Sequence, residues 1–389
     1  MKIGILTAGF TGVIGAQDFI NQIILALTQK TKETGDELFI LTSQYEKKYR
    51  QYSGLKYFLY KVLYKIQIMK GYQLVKNIKN VKINEKNIKN VLKRFKIDCV
   101  LPLKDLNIDL GDTSFIRYLY DCQHKYYPEF FSENEINCRD NYFQEMVKEY
   151  CIVNSMDAKN DFVKYYNANP NKMFALPFTP KIKEEYILYE NQNVLNKYKL
   201  PKRYFLMSCQ FWLHKNHSTL FKAFKEFSKI QQFSDIELVC TGTMEEPRKP
   251  EYINELKSLI KDLGIKNKVH LLGCIPKKDQ MEIIKNSIAV INTTLFEGGP
   301  GGGSTWDACA LGVRSLISDI PVNLEIKNDL VYFFKAKDSN SLCNQMQKIA
   351  SQKKPDFTKE YLLQKNRENI KYLGDTLYED ICTVLKNKI

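Results

Sequence analysis

The sequence predicts an α/β protein made of two doubly wound, Rossmann-like parallel sheets that face each other across a cleft. Strand-like runs rich in β-branched residues alternate with helical periods through both halves of the chain, the pattern of parallel sheets with crossover helices. A length of 389 residues exceeds what one ordinary core organises, so two domains of about 180 residues each are expected. Pro177, Pro180 and a charged, apolar-poor run to Pro201 interrupt the alternation once. These signals place an N-terminal domain at 1–180, a linker at 181–201 and a second domain at 202–369.

In the first domain, residues 2–8 (KIGILTA) form the opening strand, followed by Gly9, Gly12 and Gly15 and a helix over 17–28. Glycines at this spacing miss the G-x-G-x-x-G dinucleotide pattern, so a nicotinamide or flavin cofactor is not indicated. Strands follow at 37–43 (ELFILTS) and 98–103 (DCVLPL), then Cys151–Val153. Ser155 is a cap for a helix over 156–166, and a strand at 173–176 closes the domain.

The second domain opens with a strand at 204–208. QFWLHKNHSTLFKAFKEF follows, where Leu220, Phe221, Phe224 and Phe227 make one apolar stripe, so a helix starts near Asn216 or His217. Lys215 then lies at the positive end of that helix, a poor place for a cation unless a bound phosphate reverses the sign. Further strands are expected at 236–242 and 269–274.

The stretch 287–318 carries the chemistry. A strand at 287–294 leads to Glu297, then to five glycines and a proline in six residues, and a second strand is expected at 313–318. A helix over 306–311 lies between them, with Ser304 or Thr305 capping its first turn and Gly312 at its end. Free amides at Gly298, Gly299 and the helix start suit a diphosphate. Glu297 and Asp307, expected in the first turn, suit hydroxyls instead of phosphate. Together they describe a pocket for a nucleotide sugar; the plainer reading is an ordinary turn in which Asp307 complements the helix dipole.

FEGG at 296–299, Asp307 before A-x-A-L-G, and SDIPV-x-x-E at 318–325 resemble the C-terminal signature of family 4 glycosyltransferases of the GT-B fold. In that family two glutamates eight positions apart hold the donor sugar and the ribose. Here the spacing is ten. Counting back from Gly312 assigns the second role to Asp307, and counting forward from Glu297 lands on Thr305; the first keeps an acid at the helix start.

Asp121-x-Gln123-His124, followed by Pro128-Glu129-Phe130-Phe131, resembles members of the family that build bacterial cell-surface polysaccharide. The resemblance gives His124 a place at the end of the N-terminal domain, facing the donor sugar across the cleft, Gly12 a place against the donor and Lys215 the diphosphate. The arginine that usually precedes the lysine is replaced, with Cys209 and Gln210 at the corresponding positions. It also implies that the C-terminal helix, about 370–389, returns to the N-terminal domain.

The implied activity is that of a retaining, metal-independent hexosyltransferase. Its donor is a nucleoside diphosphate sugar, and its acceptor a glycan or polyprenyl-linked glycan. No cofactor is called for, and the sequence contains no D-x-D to hold a metal. Glu297 and His124 are the expected catalytic residues, and Gly12, Lys215, Gly298, Gly299, Ser304, Thr305 and Asp307 the donor-binding set. Alternatives are another GT-B enzyme, such as a sugar-nucleotide epimerase or a phosphorylase, or a non-enzymatic protein that grips RNA or anionic lipid.

A net charge of +14 falls wholly between Lys47 and Lys96, where fifteen Lys and Arg face one acid, Glu85. No nucleic-acid motif accompanies this arm. Leu55, Phe58, Leu59, Val62, Leu63 and Ile66 follow helical spacing among lysines, which suits an anionic membrane surface or a face packed on its own sheet. No run of about 18 apolar residues is present. The ten cysteines lack zinc spacing. A cytoplasmic protein, peripheral at the inner face of the membrane, is expected.

Overall fold

The computed structural model describes residues 1–10, 14–43, 78–104, 108–191 and 193–387. Gly12 lies outside the described residues, as do residues 47–77 of the basic arm at 47–96, with its 55–66 stripe; the rest of the arm forms the edge strand Lys79–Ile83 and the helix Ile88–Phe95. The chain forms two compact units. Unit 1 comprises Met1–Cys122, Phe131–Pro177 and Asn369–Ile389, and unit 2 comprises Gln123–Phe130 and Phe178–Glu368.

Unit 1 holds a seven-stranded parallel sheet of β1 (Lys2–Leu6), β2 (Glu37–Ser43), β3 (Lys79–Ile83), β4 (Cys99–Leu103), β5 (Ser114–Tyr118), β6 (Cys151–Val153) and β7 (Met173–Ala175). Its order is β3-β2-β1-β4-β5-β6-β7. Because side chains alternate along a strand, each strand feeds both faces. Ile3, Ile5, Leu38, Ile40, Cys99 and Leu101 pack with Ile20, Ile23, Ile24 and Leu27 of the helix Ile14–Thr34. Leu6, Phe39, Leu41 and Val100 pack with Ile88 and Leu92 on the other face. The helix Met156–Tyr166 has the expected cap, Ser155, whose hydroxyl accepts from the Ala158 amide.

The last helix, Lys359–Lys386, contributes its residues from 369 onward to unit 1. Leu373, Leu377, Ile381 and Val384 follow helical spacing and lie buried against the helix Ile14–Thr34 and the β1 face. Lys30 Nζ stands 2.6 Å from Asp375 Oδ1, and the Tyr378 hydroxyl donates to Asp36 Oδ2 at 2.6 Å. Gly374 permits this approach, since a Cβ there would meet the Ala26 carbonyl oxygen at 2.7 Å.

Unit 2 holds a six-stranded parallel sheet of β8 (Tyr204–Ser208), β9 (Glu237–Thr241), β10 (Val269–Leu271), β11 (Val290–Asn292), β12 (Ser315–Ser318) and β13 (Val331–Phe334). Its order is β10-β9-β8-β11-β12-β13. One face packs on Leu220, Phe221, Phe224 and Phe227 of the helix His217–Phe227 and on Leu342 and Met346 of the helix Ser339–Ala350. The other packs on Met281 and Ile284 of the helix Lys277–Asn286 and on Ala308 of the helix Gly302–Ala310. In both sheets the strand order reverses beside the first strand, between β1 and β4 and between β8 and β11. Crevices at such reversals are where doubly wound sheets take ligands.

The contact at Gly374 can be measured alone. Gly374→Val should destabilise the protein by about 1–3 kcal/mol through overpacking against backbone that cannot move aside. The measurement is the shift in urea midpoint at unchanged slope.

Candidate functional site

The site forms at the β8–β11 reversal of unit 2. Beyond β8 the chain makes a short turn, Leu213–Lys215, and Asn216 takes a left-handed conformation (φ 53°) before the helix His217–Phe227. Beyond β11, Thr293–Leu295 bind that turn directly. The Thr293 hydroxyl donates to the Lys215 carbonyl at 2.8 Å, and the Leu295 amide to the His214 carbonyl at 2.7 Å. Ser318 Oγ donates to the Thr294 carbonyl at 2.6 Å from the neighbouring strand.

These bonds bring Lys215 and Glu297 together. Lys215 Nζ pairs with Glu297 Oε1, and both side chains are nearly nine-tenths buried. Lys215 lies just before its helix and not within it.

The glycine loop is shaped by two carboxamides. Asn292 Nδ2 donates to the Gly301 carbonyl at 2.7 Å, and Asn323 Oδ1 accepts from the Gly301 amide at 2.8 Å. Trp306 Nε1 donates to the Pro300 carbonyl at 2.7 Å, and its ring is flanked by Phe178 at 4.8 Å. Gly301 and Gly302 have φ of 74° and 64°, which glycine alone adopts at little cost. A Cβ on Gly302 would meet Glu297 Oε1 at 3.0 Å and Asn292 Nδ2 at 3.1 Å. Gly298 and Gly299 form the half-buried bend between Glu297 and this turn.

The helix begins earlier than its polar residues suggest. It runs Gly302–Ala310 with Gly301 as N-cap and no side-chain capping bond. Ser304 and Thr305 are therefore helical and buried, not caps, and the Thr305 hydroxyl has no hydrogen-bond partner. Asp307, expected in the first turn, is the helix's sixth residue. Glycines carry the helix further back because no side chain competes for the first amides. A Cβ on Gly303 would meet nothing within 4 Å, so the space beside this residue is open. The stop at Gly312 is as expected: its φ is 71° and the Val313 amide returns to the Ala308 carbonyl at 2.8 Å.

Asp307 faces the neighbouring helix, where Lys277 Nζ lies 2.6 Å from its Oδ2. Each of the two expected acids thus has its own lysine. Lys277 had no local signal in the sequence, since packing of the helices Lys277–Asn286 and Gly302–Ala310 on one sheet face creates the pair. Asn292 and Asn323 were also missed; an asparagine ending a buried strand just before a glycine loop is the signal that could have found the first.

His124 is buried in the short helix Gln123–Tyr126, within a segment belonging to unit 2. Tyr126 and Tyr127 pack on the Phe296 ring at 5.5 and 6.4 Å, and the Tyr127 hydroxyl donates to the Leu295 carbonyl at 3.3 Å. This places the segment on the residues that immediately precede Glu297. Phe130 stacks under Arg248, whose guanidinium binds the buried Glu246 through Nε at 2.8 Å and Nη2 at 2.7 Å. Glu246 also accepts from the Leu213 amide at 2.8 Å, so this pair braces the turn before Lys215.

Two imidazoles border that turn without adding charge. Burial first, and the Lys215 ammonium second, push His214 down to about 2 and His217 to about 3. Cys209, beside the Lys215 turn, is pushed up to about 12 by burial.

Residues 190–377 match the family described as Glycosyl transferases group 1. No curated protein sequence matches the chain. Among solved structures, a glycosyltransferase from Rickettsia africae superposes with a TM-score of 0.61 at 14% identity, over 99% of this chain and 96% of that one. HepE of Anabaena, in complex with UDP and glucose, gives 0.58 at 13% identity over 100% and 98%. WaaG, a glycosyltransferase involved in lipopolysaccharide biosynthesis, gives 0.56 at 13% identity over 96% and 95%. The fold is GT-B.

Within the GT-B unit 2, the sequence-predicted Lys215, Glu297, Gly298, Gly299, Ser304, Thr305 and Asp307 all fall on the β8–β11 crevice or the helix that leaves it, and the His124 segment packs beside them. The two glycines at the helix start separate backbone need from open space. Gly302→Ala should cost about 1–2 kcal/mol of stability from the left-handed backbone alone, whereas Gly303→Ala should leave the denaturation midpoint unchanged. Equal midpoints for the two variants would contradict this geometry.

Proposed function

We propose that the protein is a retaining, metal-independent glycosyltransferase that moves a hexose from a nucleoside diphosphate sugar to a glycan or lipid-linked glycan in cell-surface polysaccharide synthesis. The observation that carries this reading is the uncapped helix start at Gly302, open to solvent at Gly303, beside the Lys215–Glu297 pair. Amides at a helix start receive phosphate oxygens with their dipoles already aligned. The match to Glycosyl transferases group 1 supports transfer from a sugar nucleotide, and the complex of HepE with UDP and glucose favours a donor of that class.

In this reading the loop amides and Lys215 hold the diphosphate, and Glu297, released from Lys215 as phosphate takes its place, holds donor hydroxyls. Asp307 holds the ribose. His124 contacts the sugar or its phosphate, with Gly12 against the donor. The bond from the anomeric carbon to phosphate oxygen breaks, and a bond to the acceptor oxygen forms on the same face. The acceptor proton passes to the departing diphosphate, so no protein nucleophile is required. Catalysis is positioning together with charge stabilisation. The protein works at the inner face of the membrane, with the basic arm of residues 47–96 held to anionic lipid by about 1 kcal/mol per lysine.

Incubation with a panel of UDP-, GDP- and ADP-sugars without added metal should release nucleotide from one donor. Conversion of a donor to its epimer would replace this reading with an epimerase, and no reaction with any donor would remove it. Asp307→Ala should weaken nucleoside diphosphate binding by about 1.5–3 kcal/mol, as for a lost hydrogen bond to a charged group. Thr305→Val should leave it unchanged; the reverse result moves the ribose to Thr305.

Lys215→Ala should slow turnover by at least about tenfold, near 1.4 kcal/mol. Gly303→Ala, neutral for folding, should weaken nucleotide binding by placing a methyl group where the phosphate lies, which calorimetry reads directly.

A further inference from the structure

Unit 1 has its own strand-order reversal, between β1 and β4, and a lysine stands at it. Lys104 is the residue immediately after β4, and Gly9 and Phe10 follow β1. Its ammonium lies 4.0 Å from the centre of the Phe10 ring and 5.1 Å from that of Tyr118, and donates to the Gly9 carbonyl at 3.3 Å. Phe19 completes the wall, 5.7 Å from Phe10 and 4.6 Å from Tyr118.

The arrangement is built. The Tyr142 hydroxyl donates to the Lys104 carbonyl at 2.7 Å, and Gly9 takes a left-handed φ of 80° that favours glycine, with Lys104 Cδ 3.3 Å from where a Cβ would stand.

Among the described residues the lysine has no counter-ion. Lys215 and Lys277 each touch a carboxylate, but Lys104 forms no ion pair among the described residues, and burial alone lowers its pKa to about 8. The other ionisable groups around it do not substitute. The Tyr118 phenol is held neutral by burial and accepts from Asn154 Nδ2 at 2.8 Å. Asp121 lies 3.8 Å from Arg139, which stacks on Tyr120 and Phe131. Ring faces compensate an ammonium only in part. A half-buried ammonium that meets only a carbonyl and two rings among the described residues is an arrangement that an anion from outside can complete.

We infer that the β1–β4 crevice of unit 1 binds an oxyanion, a sugar carboxylate or a sugar phosphate, on Lys104, with Phe10, Phe19 and Tyr118 as the apolar wall for the ring that bears it. Calling this ligand the acceptor rests on the transferase reading; the anion site itself does not. The acceptor is then an acidic glycan. Binding needs the protonated amine, so affinity is full below a pH of about 8 and falls as pH rises through it.

The test uses the full chain with saturating UDP, so that a phosphate probe cannot report the unit 2 site. Calorimetry with methyl glucuronide, glucose 6-phosphate and neutral methyl glucoside compares the two sources of oxyanion with a control. At least one anion should bind roughly tenfold or more tightly than the control. That preference should vanish in Lys104→Met, persist in Lys104→Arg, and weaken from pH 7 to pH 9 in the wild type. The arm that binds names the oxyanion. Equal binding of all three sugars, no binding by either anion, or an unchanged preference in a folded Lys104→Met protein each overturns the proposal. Donor hydrolysis is scored separately: wild-type protein that binds the acid sugar but hydrolyses no sugar nucleotide keeps the anion site and loses the transferase assignment.

Discussion

The docking of Thr293–Leu295 against the backbone of residues 214–216 is the constraint on which the rest of unit 2's chemistry depends. β8 and β11 are neighbours in the sheet although 82 residues separate Lys215 from Glu297. Where strand order reverses, the segments leaving the two strands diverge to opposite faces and expose backbone that would otherwise be covered. Here the exposed groups satisfy one another through the Thr293 hydroxyl and the Leu295 amide. A lysine from one segment and a glutamate from the other are thereby fixed side by side. The glycine loop then has a firm origin from which Asn292 and Asn323 can shape it.

Much of this architecture is written locally. Parallel strands buried on both faces read as short apolar runs, so Glu37–Ser43, Cys151–Val153 and Tyr204–Ser208 are legible from residues alone. The stripe Leu220, Phe221, Phe224 and Phe227 announces its helix, and Ser155 its cap, because both signals act within one or two turns. Glu297 and Lys215 are visible for a similar reason: each is an unusual charge beside an unusual backbone.

Other features depend on neighbours that sequence cannot supply. β5 (Ser114–Tyr118) lies at the head of an aromatic-rich stretch whose motif content masks its role as a strand, and β3 (Lys79–Ile83) lies among lysines, as an edge strand can. Ser304 and Thr305 have the chemistry of caps, but Gly301 and Gly302 can turn left-handed, and so the helix starts before them. Lys277 and Lys104 are single lysines without local distinction. One becomes notable through a carboxylate on the adjacent helix, and the other through the want of one among the described residues.

The groups that shape unit 2's crevice differ from the groups that charge it. Asn292, Asn323, Ser318 and Thr293 hold the loop with hydrogen bonds that neither protons nor salt can titrate, and His214 and His217 stay neutral throughout the range in which proteins work. The charges, in contrast, include two lysine–carboxylate pairs, Lys215–Glu297 and Lys277–Asp307, beside the Arg248–Glu246 pair that braces the turn. On the proposed reading the crevice is a rigid socket with movable pins: an anion arriving at Lys215 displaces Glu297 without the surrounding backbone having to be rebuilt.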